Sequence, residues 1–116
     1  MFECSGATGA DVHDNVISEV LIDRNKISNC DNGVSSYAGT DGARSNLLEN
    51  VIIRNSLVTN CIGAGLLLHG DDSRSQNNAI NNITITNLTL VMNGINSGWA
   101  VGLISTLWTT AILSLG

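Results

Sequence analysis

Residues 51–70, VIIRNSLVTNCIGAGLLLHG, decide how the chain is read. Val51 and Ile53 stand two apart, the period of a strand with one buried face. Thr59-Asn60-Cys61 follows, then Gly65, then a second short apolar run, Leu66 to His69. The same order occurs upstream in residues 20–39, VLIDRNKISNCDNGVSSYAG, and more loosely downstream in 83–103, ITITNLTLVMNGINSGWAVGL. The offsets are 31 and then 32 residues. Ile17, Val20, Ile22 and Ile27 correspond to Leu48, Val51, Ile53 and Val58, and again to Ile80, Ile83, Ile85 and Leu90. Gly33, Gly65 and Gly98 each precede a second strand: Val34 to Ala38, Leu66 to His69, and Trp99 to Gly102. Phe2 to Gly6 fits the frame at Ser35 to Gly39, so the first unit begins partway through.

The runs are short, β-branched and bounded by Asn, Gly, Asp and Ser, which are turn formers. Asn is unusually common, with fifteen copies, and proline is absent. Asn tolerates left-handed backbone, and its amide can hydrogen-bond along a stack of like neighbours. One such unit cannot bury its apolar face; stacked units can, at about 4.8 Å per layer. The expected architecture is therefore all-β and built from stacked units. The divisions are 1–19 (partial), 20–50, 51–82 and 83–102, followed by an apolar tail, 103–116. A leucine-rich repeat is the main rival, since Ile17, Val20, Ile22 and Asn25 fit its strand consensus. Its period is shorter, about 20 to 29 residues, and its second half is helical.

With 116 residues the chain holds one domain at most. Ten acidic against five basic residues give a net charge of −5. That balance argues against nucleic acid as a partner, because phosphate binding needs clustered Lys and Arg. Every charged residue lies at or before Arg74. Residues 98–116 are uncharged, but eight of the 19 are Gly, Ser or Thr and no Lys or Arg flanks them, which argues against a membrane span. The N-terminus lacks a basic segment followed by an apolar run, so no signal peptide is expected. Cys4, Cys30 and Cys61 have no zinc-ligand spacing. Stacking puts Cys30 above Cys61, either as paired buried thiols or as a disulfide.

The three units carry insertions at one place: residues 6–15, 39–46 and 70–79. Function on such scaffolds sits on loops held by a rigid frame. The candidate site residues are Asp11, His13, Asp41, Arg44, His69, Asp71, Asp72 and Arg74. His13 and Arg44 stand at equal distances before the following strand, and Arg74 two residues further out. Asp oxygens are hard ligands suited to Ca²⁺, which makes Asp11 and Asp41 candidate metal ligands. A carboxylate pair can cleave a glycosidic bond, and an Arg can hold a substrate carboxylate. Solvated loop charges with no chemistry are the plain alternative. The sequons Asn82-Ile-Thr and Asn87-Leu-Thr are expected by chance in so Asn-rich a chain.

Val20-Leu21-Ile22 through Asn29-Cys30 to Gly33-Val34, with its copies at Val51 and Ile83, resembles the right-handed parallel β-helix repeats of the pectate-lyase-like superfamily. The resemblance implies a β-helix of three to four turns and a polysaccharide partner. It also implies an extracellular or cell-surface setting, and lyase or hydrolase chemistry with Asp71, Asp72 and Arg74 catalytic and His13, Arg44 and His69 binding substrate. His69-Gly70-Asp71-Asp72 is similar to polygalacturonase signatures, although in that family the two elements lie in separate turns, and the flanking elements are absent here. Family members have more turns and an N-terminal capping helix. The chain is therefore expected to be a piece of a longer protein or to stack on a partner, self-associating through open ends or the tail. The alternative is a non-catalytic structural or adhesive solenoid segment.

In the tail, Leu103, Ile104, Leu107, Trp108, Ala111, Ile112 and Leu115 follow i, i+1, i+4, i+5 spacing. That spacing predicts a short capping helix of about 13 residues. An irregular further β turn competes with it.

Overall fold

In the computed structural model the described residues are 2–5, 12–40, 42–69, 76–94 and 113–115, the first and last of these by backbone alone. All regular structure among them is strand. The elements are β1 (Phe2–Ser5), β2 (Val16–Asp23), β3 (Lys26–Ser28), β4 (Val34–Thr40), β5 (Leu47–Thr59), β6 (Leu66–His69), β7 (Ala79–Val91) and β8 (Leu113–Leu115). They form two wholly parallel sheets. The smaller runs β1-β4-β6; the larger runs β2-β5-β7-β8, with β3 also on β5.

The pairing follows the sequence offsets. Val20 pairs with Val51 and Val51 with Ile83; Ile27 pairs with Val58 and Val58 with Leu90. Val34 pairs with Leu66 in the other sheet. Each unit is thus one layer, and each strand lies against its own copy in the next.

Twelve non-glycine residues among those described have positive φ, between 50 and 58°. They fall every five residues within a layer: Asp14, Glu19, Arg24 and Asn29; Ser45, Asn50, Asn55 and Asn60; Asn77, Asn82, Asn87 and Met92. Seven of the twelve are Asn, the residue with the lowest cost in this region after glycine. The Asn excess therefore has a backbone cause. Each bend leaves the ladder intact: the N–H of Arg24 reaches the carbonyl of Arg54 at 3.2 Å, and that of Asn60 the carbonyl of Val91 at 3.1 Å. Between bends two side chains point inward, which is why Ile17, Ile22 and Ile27 also recur at five.

The inward set makes one core shared by both sheets. Leu48, Val51, Ile53, Val58, Cys61, Ile80, Ile83 and Ile85 from the larger sheet and its turns pack with Val34, Ala38, Leu66 and Leu68 from the smaller. An asparagine ladder is buried beside them. Asn46 Oδ1 accepts from the backbone N–H and the Nδ2 of Asn15, each at 3.0 Å. Asn78 Oδ1 does the same for Asn46 at 2.9 Å, and Asn78 Nδ2 donates to the carbonyl of Ala43 at 3.0 Å. Gly39 is required beside this ladder, because a Cβ there would fall inside the Asn78 carboxamide. At the next corner Asn93 Oδ1 accepts the N–H of Cys61 at 3.0 Å. Cys30 and Cys61 are free thiols, and burial pushes the Cys61 thiol up from its ordinary value.

Two expectations are corrected. Phe2 pairs with Ser36 and Glu3 with Tyr37, one residue on from the alignment at Ser35, and the register shifts again before Ser5 meets Thr40. A four-residue run gives too little pattern to fix register, and a one-residue slip exchanges the two faces. The helix expected over 103–115 does not hold at its C-terminal end: Leu113, Ser114 and Leu115 form β8, paired with Ile83, Thr84 and Ile85. The open edge of β7 offers unpaired backbone groups that a strand satisfies and a helix cannot. The strand expected at Trp99 to Gly102 and the rest of the tail lie outside the described residues. No helix among the described residues is long and apolar enough to cross a membrane.

Candidate functional site

Two regions present chemistry. The first is the row expected from the loops. His13 bridges to Arg44 and Arg44 to Gln76, all in parallel pairing just before β2, β5 and β7. The sequence placed His13 level with Arg44, and the structure does the same; Gln76 is the third member. His13 Nδ1 lies 2.7 Å from Asp14 Oδ2, on an exposed corner where Asp14 has positive φ. His69 is elsewhere, at the end of β6 in the smaller sheet, opposite Tyr37. Their rings are 5.5 Å apart and tilted by 54°. The Nδ1 of His69 is buried and has no hydrogen-bond partner among the described residues. Asp11, Asp41, Asp71, Asp72 and Arg74 lie outside the described residues. Among the described residues no group of three His, Cys, Asp or Glu side chains is placed to hold a metal ion.

The second region is the outer face of the larger sheet, which the sequence reading passed over. At one bend column Asn82 Nδ2 donates to Asn50 Oδ1 at 2.6 Å, and Asn50 Nδ2 donates to Glu19 Oε1 at 3.0 Å. At the next, Asn87 Nδ2 donates to Asn55 Oδ1 at 3.2 Å, and Asn55 Nδ2 to Asp23 Oδ1 at 3.0 Å. Both rows run the same way and end on a carboxylate in the first layer, which can only accept. The two glycosylation sequons are thus outer ladder positions. Arg54 closes the row on Asp23 Oδ2 at 3.1 Å, and Arg24 lies 3.5 Å from the same atom. The hydrogen bond from Asn55, then the bond and charge of Arg54, hold the Asp23 carboxyl below its ordinary value.

Between the two rows runs a strip of Leu21, Ile52 and Thr84, in register across three layers. Leu21 is 56% exposed and Ile52 39%. Shallow open depressions flank it: one is lined by Glu19, Asn50, Ile52, Asn82 and Thr84, the other includes Arg24, Lys26, Asn55, Leu57, Asn87 and Thr89. The signal was present in the sequence as Asn at 50, 55, 82 and 87. Residue type marks a bend and a stackable amide there, but not that the stacked amides border the outer face of a sheet. No family model, curated protein or solved structure matches the chain.

Proposed function

We propose that this chain is a carbohydrate-interacting module built on a short right-handed parallel β-helix of the pectate-lyase-like kind, forming part of a larger extracellular or cell-surface protein. The observation that carries the reading is the outer face of the larger sheet. Amide and carboxylate rows at constant layer spacing border an exposed aliphatic strip. A sugar polymer offers vicinal hydroxyls, which suit paired amide and carboxylate groups, and flat C–H faces, which suit an aliphatic strip. Arg54, Arg24 and Lys26 supply cations for a uronic-acid carboxylate. Lyase or hydrolase chemistry at Asp71, Asp72 and Arg74, with Ca²⁺ on Asp11 and Asp41, belongs to the same proposal through the family resemblance.

The test is binding and turnover on a panel of acidic and neutral polysaccharides, with and without a chelator. Ile52→Asp and Arg54→Glu should each weaken binding at least tenfold while the far-UV spectrum stays unchanged. His13→Ala and Arg44→Ala separate the loop row from the outer face. Unsaturated product or new reducing ends, lost in Asp71→Ala and Arg74→Ala, would establish catalysis. Folded protein that neither binds nor turns over any member of the panel would sink the carbohydrate reading.

A second reading, a structural solenoid segment, is favoured by the half-open first layer. Ile17, Val20, Ile22, Ile27 and Cys30 are only partly buried, although their counterparts one layer on are fully so.

A further inference from the structure

We propose that Cys30 and Cys61 are a redox-active pair that closes into a disulfide, stapling the first layer to the second. The two positions are in register. On one side of the pair the N–H of Asn29 reaches the carbonyl of Thr59 at 3.2 Å, and on the other the N–H of Ile62 reaches the carbonyl of Cys30 at 2.9 Å. Cys30 therefore stands directly over Cys61, one layer step away. Neighbouring parallel strands hold equivalent Cα atoms about 4.8 Å apart, inside the range of roughly 4.4–6.8 Å that a disulfide spans.

The two side chains take the same direction. Cys30 Sγ donates to the carbonyl of Ser28 at 3.2 Å, and Cys61 Sγ to that of Thr59 at 3.8 Å, in each case two residues back. Cys61 belongs to the buried core and Cys30 packs against it. Burial raises the Cys61 thiol, and the adjoining Cys30 side chain adds to the rise. Among the described residues the column holds no third cysteine. Its next member is Asn93, whose Oδ1 accepts the Cys61 N–H at 3.0 Å and whose Nδ2 donates to the carbonyl of Val58 at 3.0 Å. That amide fixes the Cys61 backbone from the third layer and leaves the sulfur beside Cys30. Every one of these contacts lies within the three layers, so the pair is complete whatever flanks them.

Closure needs an oxidant, and a small-molecule disulfide such as oxidised glutathione supplies it. Cys61 has no exposed surface, so the first attack falls to Cys30. Having lost its proton to solvent, Cys30 Sγ bonds one sulfur of the small disulfide and expels the other as a thiolate. That thiolate takes the Cys61 proton. Cys61 Sγ then attacks Cys30 Sγ and expels the second small thiolate. Two protein thiols are oxidised to one disulfide, and one small disulfide is reduced to two thiols. The product joins positions 31 residues apart, which takes entropy from the unfolded chain. Cys4 stands apart from the pair, in β1 of the smaller sheet.

This inference is independent of carbohydrate binding and is tested with no glycan present. The full chain is equilibrated with oxidised glutathione, and with dithiothreitol as the reduced reference. Non-reducing peptide mapping of the unmodified, oxidised chain should join the peptides that carry Cys30 and Cys61, a reading that needs no variant to fold. In Cys4→Ser, both remaining thiols should be lost on oxidation, with no glutathione in the intact mass. The unfolding equilibrium constant from urea titration should fall by roughly two orders of magnitude on oxidation and recover with dithiothreitol. Cys30→Ser should abolish both the link and the gain. Thiols that survive oxidation of the folded chain, a link that includes Cys4, glutathione retained on Cys30, or a link that leaves the urea transition unmoved overturns the proposal.

Discussion

The first and second layers carry the same pattern and live in different environments. In the second, Val51, Ile53, Val58 and Cys61 have no exposed surface. In the first, Val20, Ile22, Ile27 and Cys30 hold the equivalent positions and stay partly open. The second layer bends at Ser45, Asn50, Asn55 and Asn60, and the first at Asp14, Glu19, Arg24 and Asn29. Chemically similar side chains acquire different stabilising weight according to how many layers cover them. Where cover is missing, ion pairs and carboxylate acceptors replace amide-to-amide stacking. In a repeat architecture position along the stack matters as much as residue type.

The largest expected effect breaks this contrast at the core. Ile53→Ala should lower unfolding free energy by about 3–4 kcal/mol, because the site is closed from both sides. Ile22→Ala, its register partner, should cost about half as much, since water already reaches part of the side chain. Urea denaturation of both variants measures the ratio, and equal losses would remove the distinction between the layers.

The buried amide ladder comes next. Asn78→Ala takes away the acceptor of both the backbone N–H and the Nδ2 of Asn46, at a site where water does not enter. A loss of about 2–3 kcal/mol is expected. Asn15→Ala, at the exposed end of the same ladder, should cost about 0.5 kcal/mol because water takes over its partners. Thermal unfolding of the pair tests whether burial or the ladder itself sets the cost.

A smaller effect has the opposite sign. Arg24 has φ of 55°, where the next two layers have Asn55 and Asn87. Its side chain is 82% exposed, with Nε 3.5 Å from Asp23 Oδ2, a contact that adds little to stability. Arg24→Asn should raise the urea midpoint, by about 0.5–1 kcal/mol in free energy, as the left-handed backbone cost falls.

The smallest effect is a pH dependence confined to the first layer. The Asp23 carboxyl is held below its ordinary value of 3.8. Its contribution is complete above that value and is lost as pH falls through the lower folded value. Asp23→Asn should flatten the acid limb of the stability curve there, with the lost stability seen at neutral pH and the two proteins converging at the acid end. A steeper acid limb in the variant would contradict the ladder geometry.

The layer offset was legible because Ile17, Val20, Ile22 and Ile27 recur twice with few interruptions, and strand register follows apolar alternation. The equal standing of His13 and Arg44 followed from the same count. The register of Phe2 to Ser5 did not, because four residues hold too little alternation to choose between adjacent pairings. The five-residue rhythm inside each layer was written in the sequence as Asn50, Asn55 and Asn60. It stayed hidden because Asn signals a bend without saying that the strand ladder continues through it. The outer rows were illegible for a related reason: Glu19 and Asp23 lie 31 and 32 residues from the Asn50 and Asn55 that donate to them and look like ordinary solvated charges.

The sequence by itself determined an all-β chain, the 31- and 32-residue spacing, and which positions face inward, since these rest on alternation and repetition along one dimension. Tertiary structure alone decided which Asn residues hold the left-handed bends, that these recur every five residues, and in which direction the amide ladders run. It also decided that Leu113 to Leu115 join β7 as a strand, and that the first layer is left half open. Each of those depends on which backbone groups remain unpaired once the layers have stacked, a quantity that no single unit contains.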